Sequence, residues 1–138
     1  MKSPRLGRGL ASMMLAMQLV LTGCAGLGQP SAPEEIVRER ASAWATALID
    51  GDIKTAFSYT SPGYRMFSDW GRYHARVQGA SSWKTATLRD VICTTESACE
   101  VTFILEYSVA KMGVDIRRPR TYTWVLSDGQ WWLYVPPS

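Results

Sequence analysis

Apolar residues change their spacing once along this chain, and that change divides it into a helical half and a strand half. Val37, Ala41, Trp44 and Leu48 recur at steps of four, three and four, which makes one apolar stripe along a helix. Ser31 and Glu34 have the spacing of a capping box ahead of it, with Pro33 tolerated in the first turn. Asp50-Gly51 predicts its end, because glycine takes the left-handed position after a helix without steric cost. Asp52 can cap a second, short helix through Ile53, Ala56, Phe57 and Tyr59. Ser61-Pro62 stops that helix and can begin a third over about 62–77, where Tyr64, Phe67, Trp70 and Tyr73 fall at threes. Gly71 predicts a break within this third segment.

From Trp83 onward the period is two. Ala86, Leu88 and Ile92 alternate with polar neighbours, and Val101, Phe103, Leu105, Tyr107 and Val109 do so more cleanly. Lys111-Met112-Gly113 predicts the start of a longer connection, after which Tyr122, Trp124 and Leu126 share one strand face. Asp128-Gly129 suits a type I′ hairpin, and a last strand from Trp131 to Val135 ends at Pro136-Pro137. Helices followed by an antiparallel meander give an α+β domain over 33–138.

The first 32 residues follow neither pattern. Lys2, Arg5 and Arg8 precede an apolar run from Leu10 to Leu21, too short to span a bilayer as a helix. A basic start and a short apolar core are the marks of an export signal. Its end, Leu21-Thr22-Gly23-Cys24, resembles the bacterial lipobox. The resemblance implies a signal peptide over 1–23, diacylglyceryl on the Cys24 thiol, cleavage ahead of it and acylation of the new amine. An ordinary secretory signal with an incidental cysteine is the alternative. Two or three acyl chains anchor a protein stably, whereas one holds it only marginally. Residues 24–32 are small, contain glycine and lack periodicity, so they read as a lipidated tether. Its reach is at most roughly 28 Å, which keeps the domain close to its membrane. By the same resemblance Ala25, standing where inner-membrane lipoproteins usually have Asp, points to the outer membrane and a periplasmic face.

Charge and cysteines fit that placement. The whole chain carries 15 Lys and Arg against 12 Asp and Glu; the signal holds three of the cations and no acid, so the remainder is balanced. Nucleic-acid binding needs a basic patch that survives processing, and only Arg117-Arg118-Pro119-Arg120 remains, read as a solvated strand end. With Cys24 assigned to lipid, Cys93 and Cys99 form a pair across a polar five-residue loop, placed for a disulfide outside the cytoplasm. One histidine with two cysteines lacking Cys-x-x-Cys spacing does not make a zinc site, and no motif implies another metal or a cofactor.

Trp44-Ala-Thr-Ala-Leu48, Gly51-Asp52, Ala56-Phe57-Ser58-Tyr59 and Ser61-Pro62-Gly63-Tyr64-Arg65 together resemble the opening of NTF2-like domains. The close, Tyr122-Thr-Trp-Val-Leu126 then Asp128-Gly129-Gln130-Trp131-Trp132, is similar to theirs as well. The resemblance implies a curved antiparallel sheet wrapped around helices, a cone with a cavity. It also implies a family in which some members are isomerases or cyclases and many only bind ligands or partners. No catalytic position of those enzymes can be matched here. Trp44, Tyr59, Tyr64, Asp69, His74 and Trp124 are the candidate pocket residues, and an enzyme would need Asp69 or His74 inside the cone beside Tyr64. Trp131 and Trp132 cannot both face inward, so one of them is the candidate interaction surface. The leading expectation is a non-catalytic envelope lipoprotein whose domain binds a protein partner or itself. An apolar ligand module is the second, and an isomerase- or cyclase-like enzyme the third.

Overall fold

A computed structural model describes residues 31–109 and 111–137; the expected export signal, Cys24 and most of the expected tether lie outside them. Helix α1 spans Pro33–Ile49, α2 Ile53–Ser58, α3 Pro62–Phe67 and α4 Trp70–Val77, followed by a 3-10 turn over Gln78–Ser82. Strands β1 (Trp83–Thr95), β2 (Ala98–Val109), β3 (Val114–Ser127) and β4 (Gln130–Leu133) then form an antiparallel meander in the order β1-β2-β3-β4.

The helix ends follow from single residues, with one correction. The Ser31–Glu34 capping box does not form: Ala32 is the cap residue, and no side chain caps α1. Pro33 is the cause, because it holds the preceding residue extended and fixes the first helical position at itself. Ser31 is therefore one residue too early. At the other end Gly51 sits at φ +73, and the Gly51 and Asp52 amides donate to Leu48 and Ala47. Those two bonds satisfy carbonyls that the last turn of α1 would otherwise leave open. Asp52, Ser61 and Asp69 each accept from an amide three residues on, which starts α2, α3 and α4 in turn. The break expected at Gly71 comes earlier, at Ser68-Asp69. Gly71 lies within the first turn of α4, where an added Cβ would stand 3.2 Å from the capping Asp69 carboxylate.

The sheet is more continuous than the sequence pattern suggests. Instead of a long connection after Lys111, a turn at Met112-Gly113 returns the chain directly, with both amides donating to Val109. β3 therefore begins at Val114 and pairs with β2 along its length. The basic cluster at 117–120 is thus mid-strand and not a strand end. β4 pairs only with Trp124 to Ser127, so the earlier part of β3 is an edge, where Pro119 costs little for lack of an N–H. Asp128 and Gly129 both have positive φ, the type I′ turn that Asp-Gly favours. Cys93 and Cys99 are cross-strand partners joined by a disulfide, closed by a two-residue turn at 96–97 instead of a five-residue loop. Three register irregularities along β1 bend the sheet around the helices.

One core results. The α1 stripe of Val37, Ala41, Trp44 and Leu48 packs on Val101, Phe103 and Leu105 of β2, Trp124 of β3 and Leu133 of β4. Thr60, fully buried, bridges to Leu133: the Ser61 amide donates to the Leu133 carbonyl, and the Leu133 amide donates to the Tyr59 carbonyl. This seam ties the helical half to the last strand.

Candidate functional site

The inner face of the sheet can be traced strand by strand from its register. Val101, Phe103 and Leu105 point inward from β2, and their partners on β3 are Tyr122, Arg120 and Arg118. Cys99, next along the same face, is paired with Trp124. The inward face of β3 therefore runs Trp124, Tyr122, Arg120, Arg118, two aromatics followed by two cations. Arg117 and Pro119 face the other way, and Arg117 lies 3.7 Å from Glu106 on the outer side.

At the aromatic end the cone is filled. Trp44 packs edge-on against Tyr122 at 4.7 Å, with Phe103 and Trp124 at 6.2 and 6.5 Å. Its indole N–H donates to the Tyr73 hydroxyl at 2.8 Å, both groups being buried. Burial raises the Tyr73 pKa far above that of a free phenol, and it raises that of Tyr122 as well, with Arg120 pulling the other way. Both hydroxyls therefore stay protonated around neutral pH and act as donors or acceptors of hydrogen bonds, not as bases.

Toward Arg118 the filling stops. A half-open cavity of about 840 Å³ lies between α1, α4 and the 3-10 turn on one side and β2 and β3 on the other. Trp44, Tyr73, Trp83, Tyr107, Tyr122 and Tyr134 supply aromatic walls, and Leu48, Val77, Ala80 and Leu105 supply aliphatic ones. Arg76, Arg118 and Arg120 are the charged residues of the lining, which includes no Asp, Glu, His or Cys. The lining thus joins aromatic and aliphatic walls to three arginines.

The sequence-derived pocket set is only partly brought together. Trp44 lines the cavity. Trp124 is fully buried beneath it, with its indole N–H unpartnered among the described residues, and Tyr59 packs against Trp124 from the far side at 6.4 Å. Tyr64 is half-buried behind Tyr73, 6.3 Å from its ring. Asp69 is exposed, its carboxylate taken up by capping α4. His74 is also exposed, at the edge of a separate depression of about 480 Å³ between the end of α1 and α4. The arrangement of Asp69 or His74 with Tyr64 inside the cone is therefore not formed.

The tryptophan pair divides as strand alternation requires. Trp131 is buried, and Trp132 is half-buried at the sheet edge. Trp132 is not a bare surface: the Arg40 and Arg65 guanidinium groups lie 5.3 and 4.8 Å from its ring, and its N–H donates to Ser127. Residues absent from the sequence-derived set do most of the lining. Their signal was present in the parity of β3, since Arg118 and Arg120 continue the even-numbered face of Trp124 and Tyr122.

No family model matches the sequence, and no curated protein matches it. Solved structures do. A SEC-C motif containing protein from Psychrobacter arcticus superposes with TM-score 0.60 at 13% identity, over 80% of this chain. The match spans 65% of that protein's length. An NTF2-like protein of unknown function from Shewanella oneidensis matches with TM-score 0.53 at 12% identity, covering 74% of this chain and 94% of that one. A Campylobacter jejuni protein named as an NTF2-like transpeptidase gives the same score and identity, with coverage of 72% and 97%. The domain has an NTF2-like fold. At these identities the likeness is one of architecture. The cavity described above occupies the inside of the NTF2-like cone, between its helices and the concave face of its sheet.

Proposed function

We propose that this chain is a lipid-anchored protein of the bacterial envelope whose NTF2-like domain is a non-catalytic binding module for an apolar small molecule. The anchor rests on the lipobox at Leu21-Thr22-Gly23-Cys24, and the Cys93–Cys99 disulfide suits the oxidising compartment to which such an anchor leads. One observation carries the binding reading: the cone is packed at one end and open at the other, with aromatic walls and no Asp, Glu, His or Cys in the opening among the described residues. General acid–base chemistry at neutral pH requires a group that changes protonation there. The lining offers the phenols of Tyr73 and Tyr122, whose pKa values burial raises, and guanidinium groups, which are always charged.

Protein recognition is the second reading, favoured by the exposure of Met66, Phe67 and Trp70 (80%, 80% and 49%) around the α3–α4 junction. An apolar patch of this kind, beside Lys54, marks a contact surface.

Native mass spectrometry of the chain purified from envelopes tests both parts. The expected result is an acylated N-terminal Cys24 carrying the mass of a co-purified small molecule, with the acyl mass lost in Cys24→Ala. An unmodified Cys24 would overturn the anchor. A cavity that remains empty when the protein is challenged with apolar compounds would overturn the binding module.

A further inference from the structure

We propose, building on the binding reading above, that the cone takes an anionic amphiphile: an apolar body lying against Trp83, Tyr107 and Val77, and a carboxylate or phosphate head held by Arg118 and Arg120, with Arg76 opposite.

The argument starts from strand geometry. Arg118 and Arg120 are two residues apart on one strand, so both project from the concave face, about 7 Å apart along it. Their cross-strand partners are Leu105 and Phe103, both buried. A cation opposite a buried leucine or phenylalanine has no carboxylate across the strand to neutralise it. On the outer face of the same strand the pattern is the reverse: Arg117 meets Glu106 and Asp115 meets Lys84. Among the described residues, neither Arg118 nor Arg120 has an ion-pair partner, and neither does Arg76, which faces them from α4. Three unpaired cations thus border a cavity whose walls are otherwise aromatic and aliphatic. Guanidinium groups present forked donors that match carboxylate and phosphate oxygens.

Charge also selects against the competing ligands. A cation entering the cone would meet three arginines and, among the described lining residues, no carboxylate. A neutral apolar molecule would fill the walls and leave the arginines in water, gaining nothing from them. An anionic head at the rim lets Arg118 and Arg120 form charge-assisted bonds while the tail covers Trp83 and Tyr107. Tyr122, next on the same inward face and lining the same cavity, adds a phenol hydroxyl to that end of the strand. The proximity of a membrane implied by the short tether makes both free fatty carboxylates and single-chain phospholipid headgroups available sources of that chemistry.

Tryptophan quenching tests this on the full chain purified from envelopes and reconstituted in phosphatidylcholine nanodiscs. The probes are a brominated medium-chain carboxylate, the matching alkyl phosphate and the matching alcohol; brominated phosphatidylcholine in the disc measures quenching from the bilayer alone. The expected result is half-quenching by one or both anions at about tenfold lower concentration than by the alcohol, from charge-assisted bonds that the alcohol cannot make. The preferred anion distinguishes the carboxylate from the phosphate source. In R118Q/R120Q the preference disappears while the alcohol still binds, and in R117Q, on the outer face, it persists. Equal quenching by alcohol and anions, or an equal loss of preference in R117Q, would overturn the head-group assignment and leave the binding module standing. Quenching by no probe beyond the bilayer level would overturn the binding module itself.

Discussion

The two ends of the inward face of β3 present the same geometry and opposite chemistry. At one end Trp124 and Tyr122 are packed against Trp44, Phe103 and Tyr59, with Trp124 fully buried. At the other end Arg120 and Arg118 keep the same alternation and the same pairing with β2, yet they border an open cavity. What changes is the cover. β4 pairs with only the last four residues of β3, and the seam through Thr60 and Leu133 closes that end alone. One strand thus serves as core where a neighbour and α1 cover it, and as a cavity wall where they do not. A fold can place a binding surface without departing from its own hydrophobic register.

Changes at the closed end are expected to have the largest effects on stability. Trp124→Ala removes a fully buried indole at the centre of the aromatic cluster and is expected to cost about 3–5 kcal/mol, read by chemical denaturation. A loss below about 1 kcal/mol would mean that the closed end is not packed as described.

The Cys93→Ala/Cys99→Ala pair comes next. So short a ring contributes about 2 kcal/mol at most by the loop-entropy relation, and less here because a two-residue turn already closes the hairpin. Comparing oxidised and reduced wild-type protein with the double variant measures it, and reduction should leave the variant unchanged.

Tyr73 sharpens the comparison through pH. Its pKa is raised in the folded state, chiefly by burial, so the folded protein holds that proton more tightly than the unfolded chain does. The resulting stability is fully present below the ordinary phenol value, near 10, and is lost as pH rises beyond it. Denaturation midpoints measured from neutral to strongly alkaline pH should fall past that point, and less steeply in Tyr73→Phe. That variant also loses the bond from Trp44, an effect of about 1 kcal/mol visible at neutral pH.

The smallest effect on stability belongs to the open end. R118Q/R120Q should shift stability by no more than about 0.5 kcal/mol, because both side chains are exposed and unpaired among the described residues. A larger loss would make the arginines part of the core and erase the distinction between the two ends.

Much of this architecture was legible in the residues. Helix ends at Gly51, Asp52 and Ser61 and the turn at Asp128-Gly129 follow from single side chains with strong local preferences. The apolar alternation of β2 and the Cys93–Cys99 pairing were equally plain. Three features were not. Pro33 overrode the Ser31 cap, because proline fixes the helix start more firmly than a serine one residue earlier. The first half of β3 has no apolar alternation of its own; pairing with β2 makes it a strand, and such pairing is a tertiary fact. The pocket set erred for a related reason. Trp124, Tyr59 and Tyr64 looked like cavity residues by type, but aromatic rings pack on one another when the chain permits it. The cavity lies instead where the inward face of β3 changes from aromatics to cations.

The six indole N–H groups of the tryptophans offer the most direct test of the difference between the two ends. In an NMR titration of the full chain with the probe anion, the Trp44 and Trp83 indole signals should shift together, while those of Trp132 and Trp70 stay in place. Shifts at Trp132 or Trp70 with Trp44 and Trp83 unmoved would contradict the account, because the ligand would then bind outside the cone.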